Sequence, residues 1–581
     1  MSADMEAAAD VTIALEGGRK FRKNMTRSRI HIAMLGLLVV FGVIGARLVQ
    51  LGTAETSLSA GGQARSAITA SRPVIYDRNG IEMAMDIRVP SLFAEPRRII
   101  DIDEAVEKLL PELPGVSSAW LREKLDGEEG FVWLKREMTP AAQERIFNLG
   151  IPGIDFVIES KRFYPGGNEA AHILGAVNVD NQGIAGIERY LDSEAIKVLQ
   201  EFGLARDREL EPVYLSIDMR VQHALHTELV DALERYQAIA AAGVIVDVRS
   251  GEVIALVSLP DFDPNVPASA LEEGRLNRVT AGTFELGSTF KTVTMAGALD
   301  SGLVSVTDEF DARAGIRFGR FTINDYRGKG RILTLPEVYK YSSNIGTIRI
   351  MQAMGKENYR AFLNRIGFDD ALPIELPETK RSAIAESFSE VGAATASFGH
   401  GLSITPLHMV SAVAGFVNDG YQVPATIFMR SEEEARQLGK QIISPETSRY
   451  VRYLMRLNAL EGSGRLMNQI ATGYMVGGKT GTADKVVDGR YDTTKNLNAF
   501  ASAFPLDDPQ YAMIILVDEP KAENEQSGRT AGWNAGAVTG RVVQKIAPML
   551  GIMPEFSDMS DAALVPVELQ SIDNQTNSQG E

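Results

Sequence analysis

A chain of 581 residues exceeds what one hydrophobic core sustains, so two or more domains are expected. Its net charge of −17 argues against nucleic acid as a partner, and the absence of cysteine excludes disulfides, thiolate catalysis and zinc–thiolate sites. The six histidines are scattered, and the closest pair, His223 and His226, has no matching acidic ligand nearby in the sequence. They read as helix surface or core packing rather than as a metal site.

Ile30–Ala46 runs 17 residues without a charge unless His31 is protonated. At about 1.5 Å per residue it nearly crosses a bilayer core, and Leu48–Leu51 extend it while Arg47 snorkels. Six cations (Arg19, Lys20, Arg22, Lys23, Arg27 and Arg29) precede it, whereas only Arg65 is basic between Leu48 and Ser71. That asymmetry predicts a cytoplasmic N-terminus with everything after the helix outside. "GTA" at Gly52–Ala54 has the form of a signal cleavage site, but the apolar run is longer than a usual signal core. An uncleaved anchor over 30–51, behind a cytoplasmic tail 1–29, is the expectation.

Residues 52–212 alternate short strands and helices, with a turn at Asn79-Gly80 and amphipathic helices in "DIDEAVEKLLPEL" and "TPAAQERIFNLG". No catalytic cluster is evident there, and the segment reads as a non-catalytic pedestal. A second domain is predicted over 213–555. "AAGVIVDV" and "EVIALVSL" form a hairpin, and a largely helical middle follows from Ser288 to Met455. Strands return at Met475–Thr482, Asn498–Phe504 and Tyr511–Val517, and "NAGAVTGRVVQKIAPML" closes as a helix. This order predicts an α+β fold, one antiparallel sheet covered by a helical layer. The tail 556–581 turns polar.

"GYMVGGKTGT" (Gly473–Thr482) satisfies the P-loop pattern, and "IILVDE" resembles its acidic strand end. A P-loop, however, needs a helix starting at its lysine, whose N-terminus holds phosphate. Here Gly481 follows Thr480 at once, then a polar run without apolar period, so no helix is predicted. ATP is also absent outside the cytoplasm.

The other reading of Lys479-Thr480-Gly481 is acyl transfer. Ser288 opens an apolar helix and Lys291 lies one turn on, where a neutral amine can take its proton. Ser342-Ser343-Asn344 interrupts a second helix, and that loop offers a hydroxyl and an amide. On the strand "VGGKTGT" the glycines leave an edge bare for an extended peptide. Lys479 offers positive charge, Thr480 and Thr482 offer hydroxyls, and the N–H groups of Ser288 and Thr482 can make an oxyanion hole. Each element alone is ordinary turn or helix chemistry. Together, in this order, they are specific.

Ser288-x-x-Lys291, Ser342-x-Asn344 and Lys479-Thr480-Gly481 resemble the active-site set of penicillin-binding proteins and serine β-lactamases. "SRPVIYDRNG", "KRFYPGGNEAAHILGAVNVDNQGIAGIE", "FGHGLSITPLHMVSAVAGFVNDG" and "GGKTGTADK" extend the likeness to class B penicillin-binding proteins of the division-specific FtsI type. The resemblance implies a membrane-anchored periplasmic D,D-transpeptidase that cross-links peptidoglycan stem peptides at the septum and is acylated by β-lactams. It implies no metal or cofactor. In that family Ser288 is nucleophile, Lys291 its base, Ser342 a proton relay, and Asn344 positions Lys291 and donor. Lys479, Thr480, Gly481 and Thr482 bind the terminal carboxylate. A SEDS-type, FtsW-like glycosyltransferase and other division proteins are the implied partners. An elongation-specific transpeptidase, or an anchored serine β-lactamase, is the alternative. Two departures stand out: Pro73 replaces the family's usual glycine, and "EGSGR" (Glu461–Arg465) replaces its usual Gly-Thr-Ala.

Overall fold

The computed structural model describes Leu38, Phe41, Gly42 and residues 72–193, 211–487, 490–556 and 559–570. The anchor, the cytoplasmic tail and the end of the polar tail are expectations that otherwise lie outside the described residues. Among the described residues, no helix is long and apolar enough to cross a membrane.

Residues 90–157 form one compact unit, and 72–89 together with the chain from 158 onward form another. In the smaller unit Leu92–Ala94 pairs antiparallel with Val132–Lys135. The expected helices form at Ile102–Leu109 and Pro140–Phe147, capped by the side chains of Asp101 and Thr139. Leu92, Val106, Leu109, Leu121, Leu134 and Ile146 make its core.

The larger unit is built on a five-stranded antiparallel sheet. Its elements, in chain order, are α1 (Met219–Tyr236), β1 (Ala240–Asp247), β2 (Val253–Leu259), α2 (Lys291–Asp300), α3 (Leu335–Tyr341), α4 (Asn344–Met354), α5 (Pro406–Val417), α6 (Pro445–Glu461), β3 (Gly477–Val487), β4 (Arg490–Phe504), β5 (Tyr511–Asp518) and α7 (Ala535–Met549). Strand order is β3-β4-β5-β1-β2, which leaves β3 on the edge. β1 and β2 are buried almost throughout, with no polar alternation. Such strands need cover on both faces. Ala241, Ile245, Phe500, Ile515 and Val517 pack with Leu225 of α1 and Val538 and Val542 of α7. Ala242, Val244, Ala501, Ile514 and Leu516 face the opposite way, into the core that holds α2, α5 and α6. The sheet thus has two helical layers where the sequence suggested one.

Two further differences concern strands. The expected helical middle includes four short strands between Glu309 and Thr334, too short for any period to register. The hairpin of β3 and β4 also runs beyond Thr482 and Asn498. Its polar extension is held by ladder pairing and by Lys485, which bonds Asp518 and Glu519 at 3.1 and 2.8 Å.

A buried ion cluster ties 72–89 to 158–193. Glu188 accepts from Arg72 Nε at 2.7 Å and Arg162 Nε at 2.6 Å, and all three side chains are sealed from solvent. Asp86 and Asp192 pair with the same arginines at 3.1 and 2.8 Å. Pro73 contributes its carbonyl, which accepts from Arg162 Nη2 at 2.9 Å, so a residue without an N–H serves there. Glu188→Ala leaves two buried guanidinium groups short of a partner. Destabilisation of about 3–5 kcal/mol is expected by urea unfolding, and a loss under 1 kcal/mol would contradict the assignment.

Candidate active site

Each catalytic candidate owes its place to a local signal. Gly287 has φ +51° and starts the tight turn Gly287–Phe290, from which Ser288 projects before α2 begins at Lys291. A Cβ on Gly287 would stand 2.9 Å from Thr482 O and 3.3 Å from Thr482 N. A Cβ on Gly481 would stand 2.1 Å from Leu286 O. The two glycines therefore let edge strand β3 lie directly against the Ser288 turn, Thr482 beside it. Thr334 and Glu337 form a capping box that starts α3, as "TLPE" suggested. α3 ends at Ser342, which is left-handed at φ +57°, and Ser343 caps α4 by accepting from Gly346 N at 2.9 Å. Turn chemistry and site chemistry here occupy adjacent serines.

Lys291 Nζ lies 3.0 Å from Ser288 Oγ, 2.7 Å from Ser342 O, 3.1 Å from Ser342 Oγ and 2.7 Å from Asn344 Oδ1. It is fully buried. Burial, seconded by the Lys479 charge, holds its ammonium well below the usual lysine range. A neutral amine has two N–H donors and one lone pair. The two short contacts are to a carbonyl and an amide oxygen that can only accept. They take the N–H groups and leave the lone pair for the Ser288 hydroxyl proton.

Lys479, also fully buried, lies 2.9 Å from Ser342 Oγ, and burial pushes its pKa down to about 7. The Ser342 hydroxyl therefore stands between two amines. The P-loop reading fails on geometry, because Lys479 and Thr480 sit inside β3, paired with Ala501 and Phe500, with no helix after them. Its supposed metal carboxylates, Asp518 and Glu519, are occupied by Lys485.

Sequence reasoning missed three residues that hold this site. Asp325 accepts from Ser343 Oγ at 2.7 Å and from Ile345 N at 2.9 Å, fixing the Ser342 loop. Asn458 donates to Gly478 O at 2.7 Å. Ser463 Oγ lies 2.6 Å from Thr480 Oγ1, so the "EGSGR" departure touches a candidate carboxylate binder directly. Asp325 had one signal: it is the single carboxylate among six cations in 313–331. Ser463→Ala removes the neutral hydrogen bond with Thr480 and a longer one donated to Asn458 Oδ1 at 3.2 Å. A rise of roughly 5-fold in donor KM with little change in kcat is expected from steady-state kinetics. An unchanged KM would count against a positioning role.

His223 and His226, left without acidic neighbours by the sequence, meet Glu169 and Asp261 at 2.7 and 2.8 Å. The fold brings those carboxylates from other segments. No group of three or more metal-ligating side chains is found among the described residues.

The penicillin binding protein transpeptidase domain family matches residues 241–539, and the penicillin-binding protein dimerisation domain family matches 67–195. The chain belongs to the penicillin-binding proteins. With a dimerisation-type region ahead of the catalytic one it is a class B penicillin-binding protein of the FtsI type, and a peptidoglycan transpeptidase. It is 34% identical over 551 residues (93% of this chain and 92% of the relative) to the probable peptidoglycan D,D-transpeptidase FtsI of Caulobacter vibrioides. Identity to the peptidoglycan D,D-transpeptidase FtsI of Escherichia coli is 29%, over 82% of this chain and 84% of that one. The fold is shared with penicillin binding protein 3 of Mycobacterium tuberculosis, solved with aztreonam: TM-score 0.64 at 22% identity, covering 84% of this penicillin-binding protein and 97% of the other.

Proposed function

We propose that this penicillin-binding protein works as a serine acyltransferase, with Ser288 carrying the acyl group between two stem peptides. The observation behind this reading is the buried Lys291 amine, whose two 2.7 Å contacts are to acceptor atoms and which lies 3.0 Å from Ser288 Oγ. Lys291 takes the hydroxyl proton as Ser288 Oγ bonds to the carbonyl carbon of the penultimate D-alanine. Cleavage of the peptide bond expels the terminal D-alanine, whose nitrogen receives that proton through Ser342. The 3.1 and 2.9 Å contacts of Ser342 with Lys291 and Lys479 support the relay. Asn344 holds Lys291 and the donor amide. Lys479, Thr480 and Thr482 meet the terminal carboxylate along the edge that Gly481 keeps bare. The N–H groups of Ser288 and Thr482 stabilise the oxyanion. An amine of a second stem peptide then attacks the ester, forms the cross-link and frees Ser288.

A penicillin adduct is expected at Ser288 and nowhere else. Mass spectrometry of a labelled digest checks it, and a label retained by Ser288→Ala would overturn the assignment.

The FtsI-type relatives support a septal role. Ile30–Leu51 would anchor the chain, the catalytic domain facing the periplasm, beside an FtsW-like glycosyltransferase and other division proteins. Fluorescence of a tagged chain at the septum is expected, and side-wall fluorescence would favour the elongation alternative. Export of residues 54–581 without the anchor should preserve acylation yet fail to support septation.

A further inference from the structure

Residues 313–331 carry six cations and one carboxylate in a chain whose net charge is −17. Two antiparallel strands, Ile316–Phe318 and Phe321–Ile323, make this segment a small flap. Its carboxylate, Asp325, is spent on Ser343 Oγ and Ile345 N, which fastens the flap to the loop bearing Ser342 and Asn344. Arg313 pairs with Asp311, and Arg331 with Glu337. Among the described residues, Arg317, Arg320, Arg327 and Lys329 have no ion-pair partner.

Arg317 Nε donates to Gly319 O at 2.9 Å, and the other three lie on aromatic rings. Arg320 stands 5.1 Å from the Phe321 ring centre and Arg327 stands 5.5 Å from that of Tyr326. Both rings are exposed, Tyr326 to 82%. Lys329 is 4.6 Å from the Tyr341 ring, and Lys340, which is paired with Glu461 at 2.8 Å, is 5.0 Å from it. Tyr341 directly precedes Ser342, so the positive surface reaches the residue next to the proton relay. Like charges gathered without counter-ions repel one another and attract anions from solution. Guanidinium planes stacked on exposed rings keep their N–H edges free for carboxylates.

We propose that the flap binds the free carboxylates of a peptidoglycan stem peptide entering the site, so that the enzyme selects acidic over amidated stems. The proposal rests on the reading of Ser288 as the transpeptidase nucleophile. A glutamate linked through its side chain leaves an α-carboxylate free, and a diamino acid with a second carboxyl adds another. Donor and acceptor stems share that chemistry, and the test separates them.

The test uses the full-length chain in detergent, with stem peptides whose internal carboxylates are free or amidated, as donor in one arm and acceptor in the other. A preference of ~10-fold or more in KM for the free carboxylate is expected in at least one arm, eroded by added salt. The variant R317Q/R320Q/R327Q/K329Q should lose that preference to within about twofold. Equal use of acidic and amidated peptides in both arms overturns the proposal, and points to an acidic protein or another anion as occupant. A preference that survives in the fourfold variant overturns it too. The wild-type comparison decides without any variant, so misfolding of the variant does not shield the idea. Fluorescent penicillin labelling of Ser288 is run alongside. Its failure in the wild type removes the underlying catalytic reading, whereas normal labelling without carboxylate preference removes the flap proposal alone.

Discussion

Lys291→Met is expected to lower the rate constant for acylation by penicillin by roughly 10³- to 10⁴-fold, the upper range for a lost general base. Methionine is nearly isosteric, so the packing around α2 survives while the lone pair that faces Ser288 disappears. A proton-transfer signature accompanies the loss. In the wild type the amine must be neutral to act, and burial with the Lys479 charge holds its pKa well below the usual lysine range. Acylation should therefore fall as pH drops through that lowered value, not near the ordinary value of 10.5. The residual rate of the variant should lack this limb. Time courses with a fluorescent penicillin across pH measure both. A rate constant within tenfold of wild type would sink the assignment of Lys291 as base.

Lys479→Met should separate activity from stability, with opposite signs. Loss of a charge-assisted contact to the substrate carboxylate is worth about 1.5–3 kcal/mol, or roughly a 10- to 100-fold drop in acylation efficiency. Stability moves the other way. The folded-state pKa of Lys479 is about 7 against 10.5 for an ordinary lysine, so between these values the unfolded chain binds the extra proton. Stability is then full above 10.5, declines as pH falls toward about 7, and levels off below it. At neutral pH the buried amine costs on the order of several kcal/mol, partly offset by its bond to Ser342. Methionine removes that cost. The variant should melt higher than wild type at pH 7, and the gap should narrow as pH rises toward 10. A lower melting temperature at pH 7 would show that burial of Lys479 is not destabilising.

The chain by itself determined the motifs and much of the local structure. Thr334-x-x-Glu337 marked a helix start that folds as a capping box, and the glycines around Lys479 marked an edge free of side chains. The runs of five to seven consecutive apolar residues in β1, β2 and β5, bounded by turn residues and rich in Val and Ile, pointed to buried strands. These are short-range signals, written within one helix turn or one strand. What the sequence left open depends on groups far apart in the chain. Lys291 lies three residues from Ser288, yet its state is set by Ser342 and Asn344, more than fifty residues on, and by Lys479 from the edge strand. Burial has no sequence pattern when it comes from several elements at once. Ser463 on Thr480, Glu169 and Asp261 on the histidines, and the paired arginines on Glu188 were illegible for the same reason. Spacing singled out the candidate pair Ser288 and Lys291, but only folding removed the water around the lysine. Desolvation is what turns a lysine into a base at neutral pH.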